Sequence, residues 1–233
     1  MKWLWRETPF LPFGTAHLAT LTLFVILAAG MAYAGRLLRG SPWQLRASRA
    51  LAIMLLVTQV PIRVALLLPR NWDLRYSLPL QICDIAAIIA VFALWTHGRW
   101  AFAIVYYWAL TMTALAMLTP DLGFGFPHIY FLLFYLEHGL VVVSAAYLTW
   151  GVGLRPSWRL YRMILVVTAA YATGLFLFNR LADTNYMYLN AKPKVPTLLD
   201  YLGPHPIYVL VGAALACAIW AAMTWPWCRG KAS

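Results

Sequence analysis

Seven long runs of apolar residues divide the chain, and most polar residues fall in the stretches between them. The runs cover approximately residues 14–35, 49–68, 78–95, 100–118, 127–150, 158–178 and 205–227. At about 1.5 Å per residue, each run is long enough as a helix to cross roughly 30 Å of hydrocarbon. Lipid offers no hydrogen-bond partners, so crossing segments of this kind must be helical. The pattern predicts an all-α polytopic membrane protein, a bundle of seven transmembrane helices forming one domain over residues 1–233.

Composition excludes the other broad classes. Apolar residues make up 63% of the chain and charged residues only 11%, which is incompatible with a water-soluble globule. The 15% aromatic content also excludes a disordered chain. The three cysteines, Cys83, Cys217 and Cys228, are unevenly spaced and form neither a disulfide framework nor a zinc motif.

The first apolar run has two interpretations. Lys2 and Arg6 precede it, and Ala32-Tyr33-Ala34 resembles a signal-peptide cleavage site. The run is long, however, and Arg36 and Arg39 follow it, which favours a retained first helix.

Basic residues between the runs predict the orientation. With the N-terminus outside, the cytoplasmic segments contain Arg36, Arg39, Arg46, Arg49, Arg99, Arg155, Arg159, Arg162, Arg229 and Lys231. The outer segments then contain Lys2, Arg6, Arg70, Arg75, Arg180, Lys192 and Lys194. This excess favours an N-terminus outside and a C-terminus in the cytoplasm, and we expect the cell membrane as the location. No basic helix with interleaved aromatic residues indicates a nucleic-acid partner.

Ionisable residues inside the apolar runs are the first candidates for function, because each is costly in a membrane unless it has a partner. They are Arg63, Asp84, Glu137 and His138, and Cys83 adjoins Asp84. With this topology Cys83 lies about 8 Å and His138 about 16 Å from the outer surface, a difference that tilt can remove. A thiol and an imidazole that meet can form a nucleophile–base pair. Alternatively, Cys83 packs as a small apolar residue, His138 bonds between helices, and Arg63 forms a structural ion pair.

The connection 179–204 is the one long loop, and we predict that it is on the outer side. Its tyrosines and leucines make it too apolar for free solution, so we expect it to cover the bundle mouth as a lid. The alternative is a solvated connector at the headgroup level, where tyrosine is common.

Three segments of the chain carry recognisable motifs: LPLQICDIA at 78–86, LEHGL at 136–140, and NYMYLNAKP…LLDYLGPHP in the long loop. Together they resemble the YwaF-type integral membrane family, which has eukaryotic relatives described as lipid acyltransferases. The resemblance implies a seven-helix membrane enzyme with Cys83 as nucleophile and His138 as base. Asn185, Tyr186 and Lys192 match its loop motif, and Gln81 stands where members often carry histidine. Because glutamine cannot act as a base, the resemblance leaves His138 as the general base.

The resulting hypothesis is acyl transfer between membrane lipids without a cofactor or metal. Cys83, activated by His138, attacks an acyl ester and forms a thioester. The hydroxyl of a second lipid then attacks the thioester and takes the acyl group. Gln81, Asn179 or Asn185 can supply the amide that stabilises the oxyanion. Asp84 and Glu137 are supporting residues, either orienting the imidazole or pairing with Arg63.

Two other functions fit the same residues. A permease or lipid-binding protein would use Arg63, Asp84, Glu137 and His138 to handle a polar substrate or protons. A metal-dependent hydrolase would gather the histidines of the outer half, with Asp84 as a further ligand; these are His17, His128, His138 and His205. The sequence indicates no particular oligomeric state.

Overall fold

The computed structural model describes residues 2–5, 7–193 and 196–229 of the chain. Arg6, Lys194 and Lys231, which contribute to the predicted orientation, lie outside the described residues.

Among the described residues, seven helices form the bundle, in the order that the apolar runs predict. They are α1 (Thr15–Leu37), α2 (Pro42–Leu67), α3 (Ile82–Thr96), α4 (Arg99–Leu118), α5 (Ile129–Val152), α6 (Trp158–Ala182) and α7 (Ile207–Cys228). All except α3 are long and apolar enough to cross a membrane. The prediction of a helical integral membrane protein is confirmed for these six helices.

Helix α3 differs from the predicted span 78–95, since it begins at Ile82 and has only 15 residues. Pro79 disfavours a helical conformation at the residue before it, so the chain enters α3 in an extended form. The helix starts where the Gln81 N–H donates to the Asp84 carboxylate at 3.1 Å, satisfying one exposed donor of the first turn. At about 1.5 Å per residue, α3 is shorter than the hydrocarbon layer.

Helices α4 and α5 occupy the centre of the bundle. The first ten residues of α4 are buried almost throughout, whereas α1, α6 and α7 expose large apolar side chains on one face. Leu181 of α6 is 90% exposed, a position that is costly in water and ordinary in lipid. The distribution is that of a bundle whose outer face meets acyl chains.

Helices α1 and α5 approach each other closely at a pair of glycines. A Cβ atom at Gly35 would lie 2.7 Å from the Cα atom of Gly151, a distance that no side chain tolerates. Small residues of this kind allow helix backbones to pack together in membranes, where dispersion contacts replace the hydrophobic effect.

The two ends of the bundle differ in charge. One end, called the arginine end here, carries the α1–α2, α3–α4 and α5–α6 connections and the end of α7. Its basic residues are Arg36, Arg39, Arg46, Arg49, Arg99, Arg155, Arg159, Arg162 and Arg229, and none of the described residues there is acidic. The opposite end, called the loop end, carries the connections 68–81, 119–128 and 183–206.

Candidate functional site

An ion cluster inside the loop half of the bundle joins three helices. One guanidinium nitrogen of Arg63 in α2 donates both to Asp84 in α3 and to Glu137 in α5, the latter at 2.7 Å. Asp84 and Glu137 are both buried, so each carboxylate needs this partner. Pairing of Arg63 with the two acids, one of the alternatives from the sequence, is confirmed.

The cluster also fixes the relative heights of α3 and α5. Because both carboxylates reach a single nitrogen, residues 84 and 137 lie at one level of the bundle. Cys83 and His138 are their sequence neighbours, so they belong to that level too. Helices α3 and α5 also pack directly against each other, which brings these two neighbours towards a common depth.

Cys83 is the second residue of α3 and lies about 100° around the helix from Asp84. Its thiol is half-buried and its polar neighbour is the hydroxyl of Thr113 in α4. Thr113 ends a wide helical turn, Ala109–Thr113, in which the backbone bonds span five residues. Such turns interrupt a regular helix and are frequent at functional sites. Thr113 is fully buried, and its Oγ1 has no well-formed hydrogen bond among the described residues.

His138 is held by its own helix. Its Nδ1 lies 2.9 Å from the carbonyl oxygen of Phe134, and its ring stacks on the Phe134 ring with centroids 4.1 Å apart. Because a carbonyl only accepts, Nδ1 carries the proton, and Nε2 of a neutral ring keeps its lone pair. The structure describes no hydrogen bond between His138 and Cys83.

His138 faces a different side of α5 from Glu137, since consecutive helical residues are about 100° apart. Tyr135, three residues earlier, lies next along the helix on that side, and its hydroxyl donates to the Met117 carbonyl of α4 at 3.2 Å. His138 thus lies between the side of α5 that meets Arg63 and the side that meets α4.

Gln81 connects the start of α3 to the long connection. Its Oε1 accepts the backbone N–H of Met187 at 2.9 Å. Met187 and Tyr188 both have positive φ angles, 58° and 53°, a left-handed conformation that is unfavourable for large side chains. Tyr188 is held on both sides, because its hydroxyl donates to Asp121 at 2.7 Å and its carbonyl accepts from the Tyr208 hydroxyl.

Asn179 and Tyr186 fasten the connection to the end of α6. The Asn179 amide donates to the Tyr186 carbonyl at 2.9 Å, and its oxygen accepts from the Tyr186 N–H and the Thr184 hydroxyl. Burial raises the pKa of Tyr186, so its hydroxyl stays protonated; it donates to the Leu74 carbonyl at 2.7 Å and accepts the Leu78 N–H at 3.2 Å. Both residues are 1% exposed and act as structural ties.

Asn185 and Lys192 hold the connection to itself. The Asn185 side chain bonds backbone groups of Asn190 and Ala191, and the Lys192 ammonium lies 3.6 Å from Asp200. The amide groups of Asn179 and Asn185 are therefore occupied by the loop's own backbone. Their role as oxyanion donors stays a prediction, since these bonds use one N–H of each amide.

A family of known proteins matches the chain over these same helices. The model of the TMEM164 family matches residues 12–224, which include all seven helices except the last turn of α7. The chain belongs to the TMEM164 family. No curated protein matches the chain. No solved structure matches it either.

Membership of the TMEM164 family supports an integral membrane protein, in agreement with the apolar runs. The more specific resemblance to the YwaF-type family is not confirmed by this match.

The four histidines proposed as metal ligands are dispersed. His17 accepts the Phe13 N–H at 2.8 Å and lies 2.9 Å from the Met117 carbonyl, while His128 accepts the Tyr130 N–H at the start of α5. His205 lies 3.2 Å from the Leu189 carbonyl. Within residues 7–193 and 196–229, no three side chains of the metal-binding types are gathered. The donor set of the metal-dependent hydrolase is therefore not assembled.

Sequence reasoning missed two polar residues close to the site. One is Thr113, which resembles any other threonine in an apolar run. The other is Gln59 of α2, which lines a surface groove of about 260 Å³ between α2 and α3, with Arg63 one helical turn farther on. Gln59 is 8% exposed, and its Nε2 has no partner in the part of the chain that the structure describes. A glutamine within a transmembrane run was the available signal, because such residues are costly unless bonded.

Proposed function

We propose that this protein is a membrane-embedded acyltransferase that acts on phospholipids or related acyl lipids. Cys83 is the nucleophile and His138 the base. The observation that carries the proposal is the Arg63 cluster, which holds Asp84 and Glu137, the sequence neighbours of these two residues, at one level. The roles themselves come from the resemblance to the YwaF-type family and from the chemistry of a thiol near an imidazole.

The proposed reaction has two balanced halves. Nε2 of His138 takes the proton of the Cys83 thiol, and the sulfur attacks the ester carbonyl carbon; the carbon–oxygen bond breaks, and the leaving alcohol takes the proton from the imidazolium. A second lipid hydroxyl then attacks the thioester while His138 accepts its proton. The new ester forms, the carbon–sulfur bond breaks, and the thiolate recovers the proton. The His138 tautomer, protonated on Nδ1, suits this use of Nε2.

The groove between α2 and α3 supports access from the lipid. Apolar side chains on its outer rim, including Leu56, Val60 and Ile88, are exposed at the bundle surface. An acyl chain lying in the groove would bring its ester towards Arg63 and Gln59, which can bind polar headgroup atoms. A substrate that is largely hydrocarbon needs no aqueous channel to reach such a site.

The long connection completes the proposal as a lid on the loop end. Met187 bonds Gln81 beside Cys83, and Tyr186 bonds the chain that leads into α3. The strained Met187–Tyr188 backbone is a place where the connection can rearrange when a substrate displaces it.

We further propose that the arginine end faces the cytoplasm, because positive residues concentrate there and acidic residues do not. A reporter enzyme that is active only in the cytoplasm, fused after the C-terminus, tests this. Activity is expected; an inactive but stably produced fusion contradicts the orientation.

Lipid turnover in variants of Cys83 and His138 tests the chemistry. Comparative lipidomics of cells producing the intact protein, Cys83→Ala or His138→Ala should show that each substitution removes the turnover seen with the intact protein. Cys217→Ala is the matched control, because Cys217 is a free cysteine of α7 outside the site. It should keep full turnover.

A covalent readout accompanies the lipid analysis. An activated ester that carries an acyl chain should label the intact protein and Cys217→Ala, and leave Cys83→Ala unlabelled. Wild-type turnover in Cys83→Ala with unchanged folding contradicts the assignment.

Thr113 is the donor that we propose for the oxyanion in place of the loop asparagines. Its hydroxyl lies near the Cys83 thiol and has no other partner in the part of the chain that the structure describes. Thr113→Val should lower turnover by about a hundredfold or more, the usual effect of removing one such donor. Ser144→Ala is the control, since Ser144 is also buried and its hydroxyl bonds the Leu140 carbonyl of its own helix. Equal activity of the two variants contradicts the role.

The ion cluster favours a second candidate, a permease that moves a polar substrate or protons. One guanidinium facing two carboxylates leaves an excess negative charge unless one carboxyl binds a proton. Flux measured in liposomes distinguishes the two functions. A permease would keep its flux in Cys83→Ser and lose it in Glu137→Gln, whereas the acyltransferase would show no flux of its own.

A further inference from the structure

The arginine end contains a cavity whose walls are rich in positive charge. It has a volume of about 320 Å³ and is lined by Arg36, Arg39, Arg155, Trp150 and Trp227. It lies where α1, α5 and α7 end, on the opposite side of the bundle from Cys83. Three guanidinium groups around one space repel each other unless something negative is bound there.

Two of these arginines are held in position by the end of α5. The Arg36 Nε donates to the Trp150 carbonyl at 3.1 Å, and Arg39 donates through Nη2 to the carbonyls of Trp150 and Gly151, at 3.0 and 2.8 Å. Gly153 makes room for this arrangement, because a Cβ there would lie 3.0 Å from the Arg39 guanidinium carbon. The carbonyls orient the two side chains and neutralise neither charge.

The remaining donors have no partner within residues 7–193 and 196–229. Arg155 makes no hydrogen bond or ion pair among the described residues, and its guanidinium lies 6.0 Å from the Trp227 ring centroid. The seven acidic residues of the chain all lie elsewhere, in the loop end or in the Arg63 cluster. Every guanidinium of the cavity therefore has N–H groups available to an outside acceptor.

The shape and position of the cavity indicate which acceptor fits. Planar guanidinium groups bind phosphate oxygens in pairs, and several of them together match a phosphate better than a single carboxylate. Tryptophan rings and helix ends mark the headgroup level of a bilayer. Basic pockets between helices at that level are typical sites for anionic headgroups.

We propose that this cavity binds a phosphate-bearing anion, with Arg36 and Arg39 as oriented donors and Arg155 as the third donor. The ligand is a phosphate ester of the lipid headgroup class or a free phosphate with the same chemistry. The inference does not depend on the reaction proposed for Cys83.

The test compares two arginines of the same end in the full chain. The purified protein is placed in nanodiscs that contain phosphatidylcholine and phosphatidylglycerol. Native mass spectrometry of the protein released from these nanodiscs then counts the phosphatidylglycerol molecules that stay bound. Arg155→Gln should retain about fivefold less phosphatidylglycerol, the effect expected for one arginine at an anionic surface. Arg162→Gln is the control, because Arg162 is exposed at the same end and does not line the cavity.

A second arm distinguishes the sources of the phosphate. Inorganic phosphate is titrated onto the protein in phosphatidylcholine nanodiscs without anionic lipid. Binding that Arg155→Gln weakens and Arg162→Gln does not, without a matching effect on phosphatidylglycerol, assigns the cavity to a free phosphate. Arg155→Lys keeps the charge and should be intermediate in whichever arm binds. Equal behaviour of the Gln variants in both arms overturns the proposal, since general surface charge would then explain the retention.

Discussion

The two ends of the bundle handle charge in opposite ways. At the loop end, Arg63 is inserted between helices and neutralised by two carboxylates from other helices. At the arginine end, Arg36 and Arg39 bond only to backbone carbonyls and keep their positive charge. The connections follow the same division, since the arginine end has short turns and the loop end has a long connection tied through Asn179 and Tyr186.

This difference indicates where each end gains its stability. The stability of the loop half depends on all three members of the Arg63–Asp84–Glu137 cluster, because a buried charge without its partner is costly. The arginine end depends instead on close packing of α1 against α5 at Gly35 and Gly151, and its charges are available to ligands. Substitutions at the two ends should therefore affect folding, local opening and pH dependence differently.

The largest effect is expected at Arg63. Arg63→Met leaves Asp84 and Glu137 buried without a counter-charge, and we expect a loss of about 3–5 kcal/mol of stability, seen as low yield and a much lower melting temperature in detergent. Arg75→Met is the control, because Arg75 forms only an exposed ion pair at 4.0 Å, and should melt like the intact protein. Adding Asp84→Asn and Glu137→Gln should partly restore Arg63→Met. An unchanged melting temperature in Arg63→Met would show that the cluster does not support the fold.

The next effect tests packing at the arginine end. Gly35→Leu places a side chain where a Cβ already lies 2.7 Å from Gly151, so α1 and α5 must separate. We expect a loss of about 3 kcal/mol, the upper part of the range for overpacking, in thermal unfolding. Gly30→Leu is the matched control, since a Cβ at Gly30 meets nothing within 4 Å. Similar melting of both variants contradicts the close approach of the two helices.

A smaller and more local effect is expected from Asn179→Leu at the loop end. It leaves polar groups of Thr184 and Tyr186 without their partner, at a cost of about 1–3 kcal/mol in the region around them. Limited proteolysis should cut the connection 183–206 faster, while the helices remain protected. Asn71→Leu offers a comparison, because Asn71 is exposed and bonds only the nearby Ala65 carbonyl. Protection of the connection in Asn179→Leu would mean that other contacts hold it.

The smallest effect concerns pH at the arginine end. His97 follows α3 and bonds Ser48 at 2.8 Å, and burial lowers its pKa below the ordinary value of 6.5. The unfolded chain then binds the proton more readily, so stability should decrease as the pH falls below 6.5 towards the lowered pKa. His97→Asn tolerates the left-handed backbone at this position and should reduce the pH dependence of melting. An equal pH dependence in both proteins would assign it to another group.

The sequence predicted five of the seven helices to within four residues at each end, because hydrocarbon thickness dictates the length of an apolar run. It missed the start of α2, which begins at Pro42 and not at 49, since Arg46 and Arg49 make this first part of the helix polar. It erred at α3, where the apolar character of residues 78–81 concealed the effect of Pro79 on the backbone. It also identified Arg63, Asp84 and Glu137 as costly residues, since a charge in an apolar run is visible without coordinates. Their arrangement around one nitrogen was not visible, because helix order and rotation come from packing.

The same limit applies to Thr113, Asn179 and the arginine cavity. Threonine and asparagine occur in apolar runs without a distinctive spacing. Only the tertiary structure brings Thr113 near Cys83 and places the Asn179 side chain within hydrogen-bond distance of the Tyr186 backbone. The sequence by itself determined that this chain is a helical membrane protein with an uneven distribution of charge, because the solvent preference of each residue is local. The tertiary structure decided which charges are paired and which remain free, because pairing depends on distances between helices that are far apart in the chain.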